Sequence, residues 1–443
     1  MDRLTNKHLL ILGLARQGIA LARFAVGVGA KVTVSDLSPA DKLAEAMADL
    51  DGLEVEFVLG SHPPSLLEKC DAVAISGGVP ADAPFVKAAR AKGISITNDS
   101  QELIRRIPTK QTVGITGSAG KTTTTALVGH ILRTANVPTW VGGNIGYPLI
   151  QDLDRIEPHD VVVQELSSFQ LQVWEQSPAI AAVTNITPNH LDRHKTLENY
   201  TLAKRRILDF QSENDIAILN RDDKGAFDLA PVVKGRLRSF SLREAVNDGA
   251  TLKNGRILIR SGMREIPIMA ARHVPLIGQH NLANVLAAIT IATAVDEKIG
   301  PAALSHAIRT FDAVPHRLEL VAEKSGVRFI NDSIATAPER ALAGLQALEG
   351  NPIVLLAGGK DKNMVWEPWA QTVSQQIKSV VLFGALKDVL AQKLSEAGRT
   401  EAVYVVDSVS DAVDKSIDLA KRGDTVLLSP GGTSYDAFKD FEE

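Results

Sequence analysis

A chain of 443 residues is too long for one hydrophobic core, so two to four domains are expected. Its 45% hydrophobic and 23% charged content is that of an ordinary globular protein, and a net charge of −4 argues against nucleic acid as the main partner, because phosphate backbones ask for a basic excess. Cys70 is the single cysteine, which removes internal disulfides and cysteine-rich zinc sites.

The apolar run in the opening MDRLTNKHLLILGLARQG is too short for a signal peptide, and the glycines that follow make it strand, turn and helix. Strands are expected at His8–Leu12, Lys31–Ser35, Ala72–Ser76 and Ile94–Thr97, with helical stretches between them, the α/β signature. A polar, proline-containing link at Ile107–Gln111 marks a first boundary. A second block carries strands at Val113–Thr116, Val161–Gln164, Ile180–Asn185 and Ile216–Leu219, and the short pieces between Arg238 and Ala270 suggest a small β insert. A helix over Asn281–Val295 follows. Pro315 in TFDAVPHRLE breaks any helical continuation and suggests a hinge. The last block has strands at Val327–Asn331, Ile353–Ala357, Val380–Phe383, Val403–Val406 and Thr425–Ser429. No stretch reaches the roughly 18 apolar residues of a membrane span, so a cytoplasmic protein without a membrane partner is expected.

The sharpest chemical signal is VGITGSAGKTTTTALVGHIL, a strand entering a Gly-rich turn with a helix straight after it. Such a turn aims backbone N–H groups at phosphates, and the helix N-terminus adds favourable potential. Lys121 would reach the β- and γ-phosphates, and the Thr122 hydroxyl would ligate magnesium. The first glycine of the strict pattern would fall at Ile115 and stands instead at Gly117, so the loop is a shortened relative of the P-loop. In VVVQELSSFQL, Glu165 ends a strand at the edge where open α/β sheets place ligands, although with Ser167 and Ser168 behind it the acid could also serve a helix cap. His190, Asp192 and His194 step by two in PNHLDRH, which can mimic a transition-metal site but falls short of a full zinc set, and His190, nearest the strand end, is the better active-site candidate. Read in isolation, Lys204 is one cation of a solvated helix face with Arg205 and Arg206.

The N-terminal GLARQGIA, with Asp36 closing the next strand, imitates a dinucleotide fingerprint, but Ala15 replaces its middle glycine. A nicotinamide-dependent oxidoreductase is therefore the remote alternative, and a nucleotide diphosphate fits that turn equally well. Two Gly-rich turns in the last block, LLAGGKDK and LLSPGGTSYDAF, would offer backbone donors with Lys360 or Lys362 to an anionic substrate.

Together, TGSAGKTT, GGNIG, ELSSFQL, NHLDRH, GQHNLAN, PHRLE, NDS and LLSPGGTSYDAF resemble the ordered motifs of the Mur ligases along essentially the whole chain. The resemblance implies three α/β domains. These are a Rossmann-like UDP-substrate domain (1–108), a central P-loop-type ATPase domain with the β insert (109–312) and a Rossmann-like glutamate domain (313–443). It implies an ATP-dependent amide ligase of peptidoglycan precursor synthesis, adding D-glutamate to UDP-N-acetylmuramoyl-L-alanine through an acyl phosphate, as a monomer. The same reaction with L-glutamate is the near alternative.

By the same resemblance Gly117, Ser118, Ala119, Gly120, Lys121, Thr122 and Thr123 hold ATP, with Thr122 and Glu165 on a first magnesium ion. His190 holds a second, and Lys204 falls where the family carries a carbamylated lysine that ligates that ion. Asn144 lines the phosphates and the acyl substrate, beside Ser167. His280, Asn281, Asn284, Arg317 and Asp332 lie at the nucleotide. Arg16, Gln17 (through its backbone) and Asp36 meet the uridine diphosphate, and Thr336, Lys362, Ser434 and Phe441 form the glutamate pocket. Three positions depart from the pattern: Ala119 stands for a usual Asn, Ile334 for a usual Lys, and SGGVP (76–80) for a usual Ser-Pro-Gly.

Overall fold

The computed structural model describes residues 2–144, 146–312, 314–361 and 364–438. Strands alternating with helices build three sheets, one per domain of the α/β fold. The first contains β1 (His8–Leu12), β2 (Lys31–Asp36), β3 (Val55–Leu59), β4 (Ala72–Ile75) and β5 (Ser95–Thr97), all parallel, in the order β3-β2-β1-β4-β5. The chain leaves the central β1 to one side and returns on the other. This opens a crevice at the carboxyl ends of β1 and β4.

The second sheet has nine strands: β6 (Thr112–Thr116), β7 (Thr139–Gly143), β8 (Val161–Glu165), β9 (Ile180–Val183), β10 (Ile216–Asn220), β11 (Arg236–Ser241), β12 (Asp248–Lys253), β13 (Arg256–Ser261) and β14 (Arg264–Ala270). Their order is β14-β13-β12-β11-β10-β9-β6-β8-β7. The short pieces of the expected β insert extend this sheet: β11 pairs with β10, and β12–β14 continue outward, with antiparallel pairing from β12 onward. β6 lies between β9 and β8, so its carboxyl end is a switch point flanked by both neighbours' ends. The strands around it are apolar on both faces, with Val161–Glu165 buried throughout, as a helix-covered parallel sheet requires.

The third sheet joins β15 (Glu319–Lys324), β16 (Val327–Asn331), β17 (Ile353–Gly358), β18 (Ser379–Phe383), β19 (Val403–Val405) and β20 (Thr425–Gly431) in the order β15-β16-β20-β17-β18-β19. Only its edge pair β15–β16 is antiparallel.

Contacts divide the chain into two compact bodies, Met1–His273 with Ala283–Phe311, and Val274–Leu282 with Asp312–Glu443. Within the first body the first two sheets share a core. Leu9, Ile11, Val32 and Val34 belong to the same apolar cluster as Leu149, Ile150, Ile156 and Val162. Among the described residues no helix is long and apolar enough to cross a membrane.

Candidate active site

The Gly-rich turn lies between β6 and the helix Lys121–Thr134. Gly120 sits at φ +79°, and a Cβ there would come within 2.2 Å of Asn284 Oδ1. A Cβ at Gly117 would fall 1.9 Å from Thr184 Oγ1, so neither position admits a side chain without displacement. The end of β9 grips the turn. Asn185 O accepts from Ser118 N (2.9 Å), Asn185 Oδ1 accepts from Ala119 N (2.8 Å), and Asn185 Nδ2 and Thr184 Oγ1 donate to Ala119 O at 2.9 and 2.8 Å. Ser118 Oγ accepts from Tyr200 Oη at 3.1 Å.

Lys121 folds back over the turn, donating from Nζ to Gly117 O (2.9 Å) and Ser118 O (3.4 Å). Thr122 Oγ1 donates to Glu165 Oε2 at 2.9 Å, and Asn144 Nδ2 donates to Glu165 Oε1 at the same distance. One buried carboxylate therefore gathers the helix start, the end of β8 and the loop after β7. Thr123 is buried under the first helical turn.

Lys204 does not lie on a solvated face: it is 1% exposed, whereas Arg205 and Arg206 are half-buried. The helix Leu197–Asp209 buries Tyr200, Ala203, Lys204, Ile207 and Leu208 as one stripe, and Lys204 belongs to it. Its Nζ donates to Gly117 O (2.8 Å) and Thr116 Oγ1 (3.3 Å) and lies 4.7 Å from the Tyr200 ring centroid. Burial pushes this amine well below the usual lysine range, the charge of Lys121 adds to the effect, and Glu165 opposes it.

His190 opens the one-turn helix Leu191–His194 at φ +52°, its ring edge-on to Phe169 at 5.3 Å. His194 is buried against Ser168 Oγ (2.9 Å), stacks on Phe169 and meets Tyr200. Among the described residues no three His, Cys, Asp or Glu side chains converge on a metal position. Ser167 closes a capping box with Gln170.

In the first domain Asp36 closes the β1 turn, taking Leu14 N on Oδ2 and Ser38 N on Oδ1, both at 2.8 Å. Burial would raise its pKa, but the backbone bonds from Ser38 and Leu14 hold it below the usual carboxylate range. Arg16 is exposed at the start of the helix Arg16–Gly27. Gln17 Oε1 accepts from Gly77 N at 3.0 Å, and Ser76 Oγ donates to Gly13 O at 2.8 Å. These bonds tie the SGGVP loop to the turn.

In the second body Asp332 follows β16, accepting from Ser429 Oγ (2.9 Å) and Leu318 N (3.3 Å). Burial raises its pKa to about 6, against those bonds and the charges of Arg317 and Arg340. The two Gly-rich turns abut there: Lys360 and Thr433 exchange backbone hydrogen bonds of 2.7 and 3.0 Å. Thr336 and Ser434 are half-buried near the same sheet edge, and Ile334 N donates to His316 O. Asn281 is buried and donates to Ile277 O (2.8 Å), with His280 exposed beside it. Lys362 and Phe441 lie outside the described residues.

The chain is 40% identical over 441 residues to the UDP-N-acetylmuramoylalanine–D-glutamate ligase of Pelotomaculum thermopropionicum, covering 99% of this chain and 96% of that one. The protein of the same name from Clostridium novyi is 38% identical, with 100% and 95% covered. The chain belongs to the Mur ligase family. Family models agree: the MurD-like N-terminal domain matches residues 7–98, the Mur ligase middle domain 115–292 and the Mur ligase glutamate ligase domain 316–432. Among solved structures, UDP-N-acetylmuramate-alanine ligase MurC of Thermotoga maritima has the same fold (TM-score 0.59, 20% identity, 96% of each chain covered). So has the MurF ligase of Thermotoga maritima in complex with ADP (TM-score 0.55, 17% identity, 97% of this chain and 95% of that one covered). This Mur ligase is accordingly an ATP-dependent amide ligase.

Three residues of the ligase's site escaped the sequence reading. Thr184 and Asn185 stand directly after β9, at the same carboxyl edge as Glu165, a position that strand order alone would have flagged. Tyr200 precedes Lys204 by four residues, one helical turn, in the same buried stripe. The Ala119 departure leaves the turn's frame intact, because Asn185 and Thr184 hold that residue by its backbone.

Proposed function

We propose that this ligase joins D-glutamate to UDP-N-acetylmuramoyl-L-alanine at the cost of ATP, with residues 1–108, 109–312 and 313–443 serving the UDP-substrate, ATP and glutamate respectively. The observation that carries this reading is the convergence of Lys121, Thr122, Glu165 and Lys204 on one Gly-rich turn. The names of the full-length relatives supply the substrate. The muramoyl-alanine carboxylate attacks the γ-phosphorus of ATP, giving an acyl phosphate and ADP. The glutamate amine then attacks the acyl carbon, phosphate departs with the C–O bond, and the amine loses a proton to leave the amide.

Lys121, already held over the turn, offsets repulsion between an anionic nucleophile and an anionic phosphate. A hydroxyl and a carboxylate suit magnesium, which keeps several waters, and Thr122 with Glu165 would hold it; bound there, it would neutralise phosphate charge. The lowered proton affinity of Lys204 supports its carbamylation. A neutral amine can attack carbon dioxide, forming an N–C bond and releasing a proton, and the resulting anion with His190 would provide a second cation position.

Phosphate release from ATP, measured with UDP-N-acetylmuramoyl-L-alanine, magnesium and bicarbonate, tests the proposal with D- and L-glutamate in separate reactions. Release with D-glutamate alone is expected. Release with L-glutamate alone changes the substrate and assigns the difference to positions such as Ile334. Silence with both overturns the activity.

A further inference from the structure

The seam between the first two domains is closed unevenly. At its base Asn98 Nδ2 donates to Gln170 O (2.8 Å) and Trp174 Nε1 to Ser100 Oγ (3.1 Å), both buried, and Glu175 N to Gln101 Oε1 (2.7 Å), partly buried. Nearer the sheet edges the seam opens into a cavity of about 440 Å³, with Pro80, Ala81 and Asp82 on one wall and Phe169, Arg193 and Asn199 on the other. Arg193 reaches across at this open end, donating from Nη2 to Gly78 O at 3.2 Å.

Both ends of that bond lead to a proposed substrate group. Gly78 belongs to the loop that Gln17 and Ser76 tie to the β1 turn. Arg193 belongs to the one-turn helix opened by His190. Non-glycine residues with positive φ, His190 at +52° and Lys195 at +71°, flank that helix, and such backbone persists only where its surroundings over-determine it. Ser168 and Tyr200 hold His194, and one ring touches three residues of the turn. Phe169 meets His190 edge-on at 5.3 Å, stacks on His194 at 5.0 Å and carries the Arg193 guanidinium at 5.1 Å. The guanidinium thus lies between a ring that sets the His190 turn and a carbonyl of the nucleotide-diphosphate loop.

We infer that Arg193 is a positioning residue that couples the first domain's substrate loop to the His190 turn, so that seating the UDP-linked substrate also aligns the group beside the reacting carboxylate. The inference rests on the proposed substrate, and its test is split accordingly. Hydrogen–deuterium exchange on the full-length protein without ligand should show Arg193→Ala loosening residues 76–82 and 190–195 together, with the base of the seam unchanged. In turnover, Arg193→Ala should raise KM for UDP-N-acetylmuramoyl-L-alanine about tenfold and lower kcat, while KM for ATP stays within about twofold. Phe169→Leu keeps apolar bulk but removes the ring face, and should lower kcat and loosen residues 190–195 alone. Parental exchange in residues 76–82 of Arg193→Ala overturns the coupling. So does general loosening of both domains with a fallen Tm, which would mark a merely structural residue. If the parent turns over no UDP-linked substrate, the functional proposal fails while the exchange experiment still decides the coupling.

Discussion

Replacing Asp332 by Asn removes one buried charge and leaves its shape. In the parent, burial lifts this carboxyl from the ordinary 3.8 to about 6. At pH 7 the folded chain therefore carries an anion it holds less favourably than the unfolded chain does. At about 1.4 kcal/mol per tenfold change in proton affinity, the gap is worth roughly 3 kcal/mol against folding. The sign follows from proton uptake. Between pH 4 and 6 the folded state binds more protons, so stability falls as pH rises and levels off above 6. At pH 4.5 only about 1 kcal/mol of the penalty has developed. Asparagine keeps an acceptor for Ser429, and the cost of the exchange itself is common to both pH values and cancels between them. Asp332→Asn should therefore gain about 2 kcal/mol on its parent between pH 4.5 and pH 7. Because a chain of two bodies need not unfold in one step, the measurement is urea-dependent hydrogen exchange of β16 and β20. A difference between variant and parent that does not change with pH would refute the reasoning. The variant should lose ligase activity while gaining stability, as a residue held for function rather than folding does.

Gly120→Ala combines a left-handed backbone with a Cβ driven onto Asn284, and should weaken binding of a non-hydrolysable ATP analogue at least about tenfold by calorimetry. Ala119→Asn is the control: the exposed side chain is not what holds the turn, so affinity should stay within about threefold. Lys204→Met replaces a buried amine with a methionine of similar length while Lys121 still serves Gly117 O. Its Tm should hold or rise while turnover falls at least about 100-fold. Lys204→Ala should recover part of its turnover with short-chain carboxylates, and full activity without them would reduce Lys204 to a structural group.

The strands most legible in the sequence are those with a buried apolar run: His8–Leu12 is read to the residue and Ile353–Ala357 to within one. The strands passed over lack that signature. β15, ELVAEK, is an exposed charged edge; β7, TWVGG, ends in a glycine pair that reads as loop; β3, VEFVL, is only half-buried. The β12–β14 strands were legible as short strands punctuated by Gly and Asn, but local pattern carries no record of which strand accepts their hydrogen bonds. At the site, Lys121, Thr122 and Glu165 were readable because a turn, a helix start and a strand end each leave a local trace. Lys204 was not readable from its neighbours, since three successive cations suggest solvent. The stripe through Tyr200, Ala203, Ile207 and Leu208 did contain the answer, had the helix been read by period rather than by charge.

The bonds at the base of the seam bear on how such ligases could be recombined. The segment that follows Glu165 serves two masters: it caps itself beside that carboxylate and, within ten residues, meets Asn98, Ser100 and Gln101 of the first domain. A foreign first domain grafted at residue 108 would meet Gln170, Trp174 and Glu175 with the wrong partners, and the misfit would be transmitted straight to the end of β8. A chimera that keeps Glu165 in place would have to carry the stretch from Leu166 to Glu175 along with the donor's first domain.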